Sequence, residues 1–174
     1  MKEKPILFSA PMVRAILEGR KTMTRRVVKT QPDNSNRIPW RAKKCVVNIR
    51  DERISELCPY GQSGDRLWVR EAWGLTSEGT VCFRADEPMS IVSRWRPSIH
   101  MFRWASRIEL EITGVRVERL QDISASDIER EGAITANTEI NQVLPIWIKL
   151  WESINGPGSW DKNPWVWVVE FKRI

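Results

Sequence analysis

Apolar residues in this chain recur mainly at period two, in short runs separated by turn residues, with only brief stretches at helical spacing. Lys4 to Phe8 reads as a short strand. Ser9 then suits an N-cap and Pro11 a first helical turn, and Met12, Val13, Ile16 and Leu17 share one face before Gly19, so a helix is predicted over 11–18. Residues 22–29 are extended, with β-branched Thr22, Thr24, Val27 and Val28. Cys45 to Ile49 is a further strand. Arg66 to Trp73 alternates cleanly, Leu67, Val69, Glu71 and Trp73 against Trp68, Arg70 and Ala72, and Thr80 to Ala85 is its expected hairpin partner. Ile108 to Leu120 forms a long half-buried strand in which Gly114 marks a bulge. Ser124 and Asp127 open a short helix that runs to about Arg130 and stops at Gly132. Leu144, Trp147, Leu150 or Trp151, and Ile154 define an amphipathic helix over 144–154, with Pro145 in its first turn. Trp165 to Phe171 is apolar on both faces in its first half, which predicts a central strand. The sum is an α+β chain of five to seven mostly antiparallel strands with two or three short helices, best accommodated by a small, partly open β-barrel.

Composition narrows the classes. The 174 residues suit a single domain spanning 1–174, and no run approaches the ~18 apolar residues of a membrane span. The apolar run Ile6 to Ala10 is too short for a secretory signal, so a cytoplasmic location is expected and no membrane partner. Cys45, Cys58 and Cys82 are odd in number and widely spaced, and His100 is the only histidine; free thiols are expected, with no metal and no cofactor. A formal charge of +6 permits a polyanionic partner. Ten tryptophans are unusual; most must be core, leaving a few as stacking platforms for bases.

The segment with the most chemistry is Glu18-Gly19-Arg20-Lys21-Thr22-Met23-Thr24-Arg25-Arg26, of form G-x-K-x-x-T-x-R. A lysine whose pKa is lowered can act as a base on a hydroxyl, and an arginine beside it can hold a carbonyl, carboxylate or phosphate. Positions 21 and 24 of a regular strand point to opposite faces, so Lys21 and Thr24 converge only if Lys21 lies in the turn before the strand or a bulge intervenes. Taken alone, the short motif reads more simply as Lys21 and Arg26 solvated at a strand start, with Thr24 an ordinary β-branched strand residue.

With Gly64-Asp65-Arg66-Leu67-Trp68-Val69-Arg70-Glu71, the strand 108–117, the run Leu120-Gln121-Asp122-Ile123, the helix end Glu129-Arg130-Glu131-Gly132 and the terminal strand through Trp167-Val168-Val169-Glu170-Phe171, the motif resembles the ASCH domain of the PUA-like superfamily. The order of pieces is most similar to the longer ASCH proteins of phages and prophages. The resemblance implies a PUA-like/ASCH β-barrel, with insertions at about 30–60 and 86–104. It also implies a nucleoside or RNA partner. In the bacterial members that remove the acetyl group of 4-N-acetylcytidine, a lysine and a threonine of this motif act with a later glutamate. Lys21 and Thr24 match the first two, and Glu131 matches the third, with Glu129 as the fallback. Other members are thought to bind or cut RNA. The resemblance leaves an amidohydrolase, a ribonuclease, a non-catalytic RNA or modified-nucleotide binder and an accessory protein acting through protein contacts all open.

Three further features bear on function. Arg20 and Arg26 are expected to bind substrate, with Arg26 or backbone N–H groups near Gly19 receiving the oxyanion. Glu71 lies on an otherwise apolar strand face and should be paired; reaching Lys21 or Arg26 would make it a third substrate-binding residue. The stretch Arg94-Trp95-Arg96-Pro97-Ser98-Ile99-His100-Met101-Phe102-Arg103-Trp104 interleaves cations with aromatics, and Arg94, Trp95, Arg96, Arg103 and Trp104 are candidate nucleic-acid contacts. The same composition also suits a loop pinned to the barrel by its aromatics. Trp40 and Arg41 with Lys43 and Lys44 repeat the signal more weakly.

Overall fold

The computed structural model of the chain describes residues 1–40, 45–86, 92, 94–135 and 137–174. Its main sheet is built from β1 (Glu3–Leu7), β2 (Met23–Val27), β5 (Arg66–Arg70), β8 (Glu109–Arg119) and β9 (Trp165–Arg173), in the order β1-β5-β8-β9-β2. Two ribbons flank it, β3 (Arg37–Trp40) with β4 (Cys45–Asn48), and β6 (Trp73–Leu75) with β7 (Val81–Phe83). Helices α1 (Ala10–Leu17), α2 (Ala125–Arg130) and α3 (Ile140–Asn155) complete the α+β architecture. All strand pairs are antiparallel except β1 with β5. Among the described residues β1 and β2 do not pair, so the ladder is an open sheet. Its two edges nevertheless meet through a side chain, since Arg26 Nη2 on β2 donates to the Leu7 carbonyl of β1 at 2.8 Å.

The strand β9 explains the layering. Trp167, Val169 and Phe171 enter one core with Ile6, Val13, Ile16, Leu67 and Ile112. Val166 and Val168 enter a second core with Met23, Leu120, Ile128, Val143, Trp147 and Trp151. Being apolar on both faces therefore made β9 central, between β8 and β2. The bulge lies where Gly114 marked it, as the β8–β9 register shifts between Ile112 and Gly114.

Three elements differ from the sequence reading. The expected strand 66–73 ends at Arg70, and Thr80–Ala85 supplies a partner to β6 rather than β5, whose edges are already taken by β1 and β8. Among the described residues nine strands form, more than the expected five to seven, because two ribbons stand apart from the five-stranded sheet. Helix α3 begins four residues early, which places Pro145 inside it rather than in its first turn. The segment 30–60 forms the β3–β4 ribbon and a 3-10 turn over Glu52–Leu57, with Ile38, Val47 and Ile54 in the first core. Arg41, Lys43 and Lys44 lie outside the described residues. Cys58 and Cys82 are buried free thiols.

One glycine is fixed by both backbone and space. Gly132 has φ +73°, and a Cβ there would sit 2.7 Å from the Ala15 Cβ and 2.9 Å from the Lys21 Cβ. Helix α2 thus ends pressed against α1 and the turn that carries Lys21. Gly132→Ala adds left-handed strain to overpacking and is expected to destabilise by about 2–4 kcal/mol, read as a lower urea midpoint.

Candidate functional site

Lys21 stands in the turn between α1 and β2, which resolves the strand geometry. Gly19 takes φ +75°, and the N–H groups of Arg20 and Lys21 both donate to the Ala15 carbonyl at 2.9 Å. The Thr22 N–H then donates to the Arg130 carbonyl at 2.8 Å, joining this turn to the end of α2. On that side, Ser124 Oγ caps α2 by accepting from the Asp127 N–H, and Glu131 closes the helix before Gly132 turns the chain away.

Here two charges separated by 110 residues meet. Lys21 Nζ donates to Glu131 Oε2 at 2.7 Å, and to the Glu131 and Met23 carbonyls at 2.8 Å each. The side chains are 1% and 4% exposed, so solvent screens the pair little. Burial pushes the Lys21 pKa below the ordinary lysine value, with Arg26 and Arg25 pushing the same way and the Glu131 carboxylate opposing. All three ammonium hydrogens are engaged. Among the described residues, no hydrogen bond joins Lys21 to the Thr24 hydroxyl.

Arg25 is the residue that sequence reasoning passed over as a site component. Its guanidinium, fully buried, binds Glu118 at 2.5 Å and Asp127 at 2.6 Å, and its Nη1 lies 3.5 Å from Glu131 Oε1. The Glu131 carboxylate therefore sits between two cations. Arg116 extends the network to Glu118 and Glu170, and Arg130 binds Glu170. Acids at 118 and 127 were the available signal for Arg25, but only the fold shows that they face it.

The ladder places a second kind of donor at the site. The Thr22 carbonyl accepts from the Phe171 N–H, and the Val28 N–H donates to the Trp165 carbonyl. Bonded positions alternate in an antiparallel pair, so Thr22, Thr24, Arg26 and Val28 bond β9, while Met23, Arg25 and Val27 turn their N–H and C=O groups to the free edge. The Met23 carbonyl on that edge is the one Lys21 holds.

Beside this edge lies a cavity of about 70 Å³. Lys21, Thr24, Arg25, Arg26 and Glu131 line one side of it, Phe8 and Met12 another, and Trp147, Leu150 and Trp151 of α3 the wall opposite. The structure thus brings Lys21, Thr24, Arg26 and Glu131 together. It leaves out two expected members. Arg20 binds Glu18 and reaches the Gly132 carbonyl at 3.5 Å, outside the cavity. Glu71 does not reach Lys21 or Arg26; its buried carboxylate is held by Arg107 at 3.0 and 3.2 Å, and Arg107 also grips Asp86. Burial raises the Glu71 pKa against the pull of Arg107. The N–H groups of the Gly19 turn are likewise unavailable, since those of residues 19–22 all have carbonyl partners. Glu129 is not among the cavity residues.

A separate face carries the basic aromatic stretch. A cleft of about 350 Å³ is lined by Arg94, Trp95, Arg96, Pro97, His100 and Leu75. The Arg96 guanidinium lies 4.9 Å from the ring of Trp73. Trp104, 66% exposed, is stacked on Phe102, 56% exposed, with ring planes 10° apart. Phe102 extends the expected set. Arg103 differs from expectation, because it is clamped by Glu3 and Glu109, which hold its charge and raise its pKa. Among the described residues, no three His, Cys, Asp or Glu side chains gather to hold a metal ion, and no helix is long and apolar enough to cross a membrane.

No family model and no curated protein matches the sequence. Solved structures similar to it include the ASCH domain from Lactobacillus crispatus JV V101, at 10% identity and TM-score 0.49 over 99% of this chain and 79% of that one. They also include the hypothetical protein PH0355, at 12% identity and TM-score 0.46 over the whole of both chains. A third is protein EF3133 from Enterococcus faecalis V583, at 10% identity and TM-score 0.47 over 100% and 80%.

Removing one member of the buried pair leaves the other charge uncompensated. Glu131→Leu is expected to cost about 3–5 kcal/mol. Lys21→Met combined with Glu131→Leu should lose less than the sum of the two single changes, and a double-mutant cycle by denaturant unfolding measures the difference.

Proposed function

We propose that this chain is an ASCH-type, PUA-like protein whose cavity binds a nucleobase and hydrolyses an acyl amide carried on it. The observation that carries the reading is the 2.7 Å contact of Lys21 Nζ with Glu131 Oε2, in a cavity that Thr24 also lines. The residue resemblance to the 4-N-acetylcytidine amidohydrolases names the same three side chains.

In this mechanism Lys21 acts as the neutral amine, its extra proton released to solvent as its lowered pKa favours, and the freed lone pair serves as base. The Thr24 oxygen attacks the acyl carbon as its proton passes to Lys21. The developing oxyanion is received by the Arg25 N–H on the free edge of β2, next in the chain to the nucleophile, and by the Arg26 guanidinium. The C–N bond then breaks, and Lys21 returns the proton to the leaving amine. Water hydrolyses the acyl-threonine ester and regenerates the hydroxyl. Glu131 holds Lys21 in place and stabilises its ammonium between steps.

The test is incubation with 4-N-acetylcytidine and chromatography for cytidine. Thr24→Ala and Lys21→Met should each lower turnover by at least about a hundredfold. Because the neutral amine is the active form, kcat/KM should rise with pH through the lowered Lys21 pKa and level off below the ordinary value of 10.5. A wild type that leaves the nucleoside intact across that range sinks the reading.

A second reading concerns the other face, and the exposed Phe102–Trp104 stack beside Arg94 and Arg96 favours it. Those groups suit single-stranded RNA, with bases on the rings and phosphates on the guanidinium groups. Affinity for a short single-stranded RNA should fall as salt rises. Trp104→Ala should weaken it by about 1–3 kcal/mol at fixed salt, and Arg96→Ala should flatten the salt slope.

A further inference from the structure

Three of the six buried polar side-chain atoms that make no hydrogen bond among the described residues belong to residues that line the same cavity: Glu131 Oε1, which the Arg25 guanidinium approaches only to 3.5 Å, Trp147 Nε1 and Trp151 Nε1. The three residues are 3–4% exposed. Each such group left unpaired costs about 1–3 kcal/mol, and folded proteins leave few of them. That all three residues line one small space is a pattern that a bound molecule would complete. The chemistry is also directional. An ionised carboxylate oxygen only accepts, and an indole N–H only donates. The two indoles project from one helix four residues apart, with ring centroids 5.9 Å apart, and Leu150 shares their wall. Leu150 and Ile154 make the rest of that wall apolar except for Asn155, whose Nδ2 donates to the Trp151 carbonyl at 3.1 Å, and such a wall suits the rim of a flat ring better than a cluster of water.

We propose that Trp147 and Trp151 are specificity residues that donate hydrogen bonds to acceptor atoms on the ligand ring, while Glu131 Oε1 accepts from a ligand N–H. The ligand class is a planar heterocycle with carbonyl or imine-type acceptors on one edge and an amino or amide N–H on another, as in a pyrimidine. This rests on the amide-hydrolysis reading and adds to it the side of the substrate that does not react. It also gives Glu131 two roles, one oxygen on Lys21 and the other on the ligand.

The experiment compares two probes that share an aryl N-acetyl group. 4-N-acetylcytidine carries ring acceptors; acetanilide carries none. Protein labelled with 15N at the indoles is titrated with each, and Trp147→Phe and Trp151→Phe assign the resonances while keeping a ring in place. The expected result is a saturable downfield shift of both indole N–H signals with 4-N-acetylcytidine and none with acetanilide. Each Trp→Phe change should raise the KM or Kd for 4-N-acetylcytidine about tenfold, near 1.4 kcal/mol, and so lower the preference for 4-N-acetylcytidine over acetanilide. Binding or hydrolysis of 4-N-acetylcytidine with both indole signals unmoved overturns this proposal and leaves the amidohydrolase standing. So do Phe variants that match the wild type. Failure of the wild type to bind or hydrolyse either probe overturns both.

Discussion

The buried contact of Lys21 with Glu131 is the constraint around which the rest of the molecule is arranged. An ammonium and a carboxylate out of water are tolerated only with close geometry and with their remaining hydrogen-bonding capacity met. Here the lysine uses all three hydrogens, two on carbonyls and one on the carboxylate. To deliver those partners, the α1–β2 turn must lie against the end of α2. Gly132 makes that approach physically available, and the Thr22 to Arg130 hydrogen bond locks it. The electrostatics follow from the same arrangement, because Arg25 on the other side of Glu131 needs Glu118 and Asp127 to neutralise it. A sheet, two helix ends and a layered ion network thus converge on one pair.

Much of this was legible in the chain. The turn at Gly19, the alternation in 66–70, the bulge at Gly114 and the doubly apolar run at 165–171 each follow from local rules, and each is found. Lys21, Thr24 and Glu131 were singled out through their motifs, and the fold gathers them at one cavity. What local rules cannot supply is partner choice. Glu71 was correctly expected to be paired, yet which cation it meets depends on the stretch 98–107 folding back over β5 and β6, and that brings Arg107 rather than Lys21. Arg103 was read as a free cation for the same reason, since Glu3 and Glu109 come beside it only once β1 and β8 flank β5. The tryptophans of α3 were legible as an apolar face, but not as the wall of a cavity.

The two faces described above have different physical characters. The cavity at the free edge of β2 is narrow and lined mostly by apolar side chains, and the Lys21 charge in it is matched by Glu131 at hydrogen-bonding distance. The face at 94–104 is open, with exposed rings and with arginines at 94 and 96 that line a wider cleft. In the proposed readings, selectivity for a small group belongs to the first and sequence-tolerant contact with a longer polymer to the second.

The irregularity at Ile112–Gly114 has a consequence for how the chain tolerates changes in length. Ile112 pairs with Phe171 and Gly114 with Glu170, so Thr113 is a surplus residue and the even positions change sides after it. That reversal sends Val115 and Val117 to the first core and turns Arg116 and Glu118 toward Arg25. Loss of Thr113 would preserve the parity of everything downstream and remove the bend, with the carbonyl that accepts from Ser63 Oγ. Gain of one residue between 114 and 118 would invert it, carrying a carboxylate into the apolar layer and stripping Arg25 of its nearest anion. Loss of the bulged residue is therefore not equivalent to a change of one residue beyond it, where either gain or loss reverses the two faces.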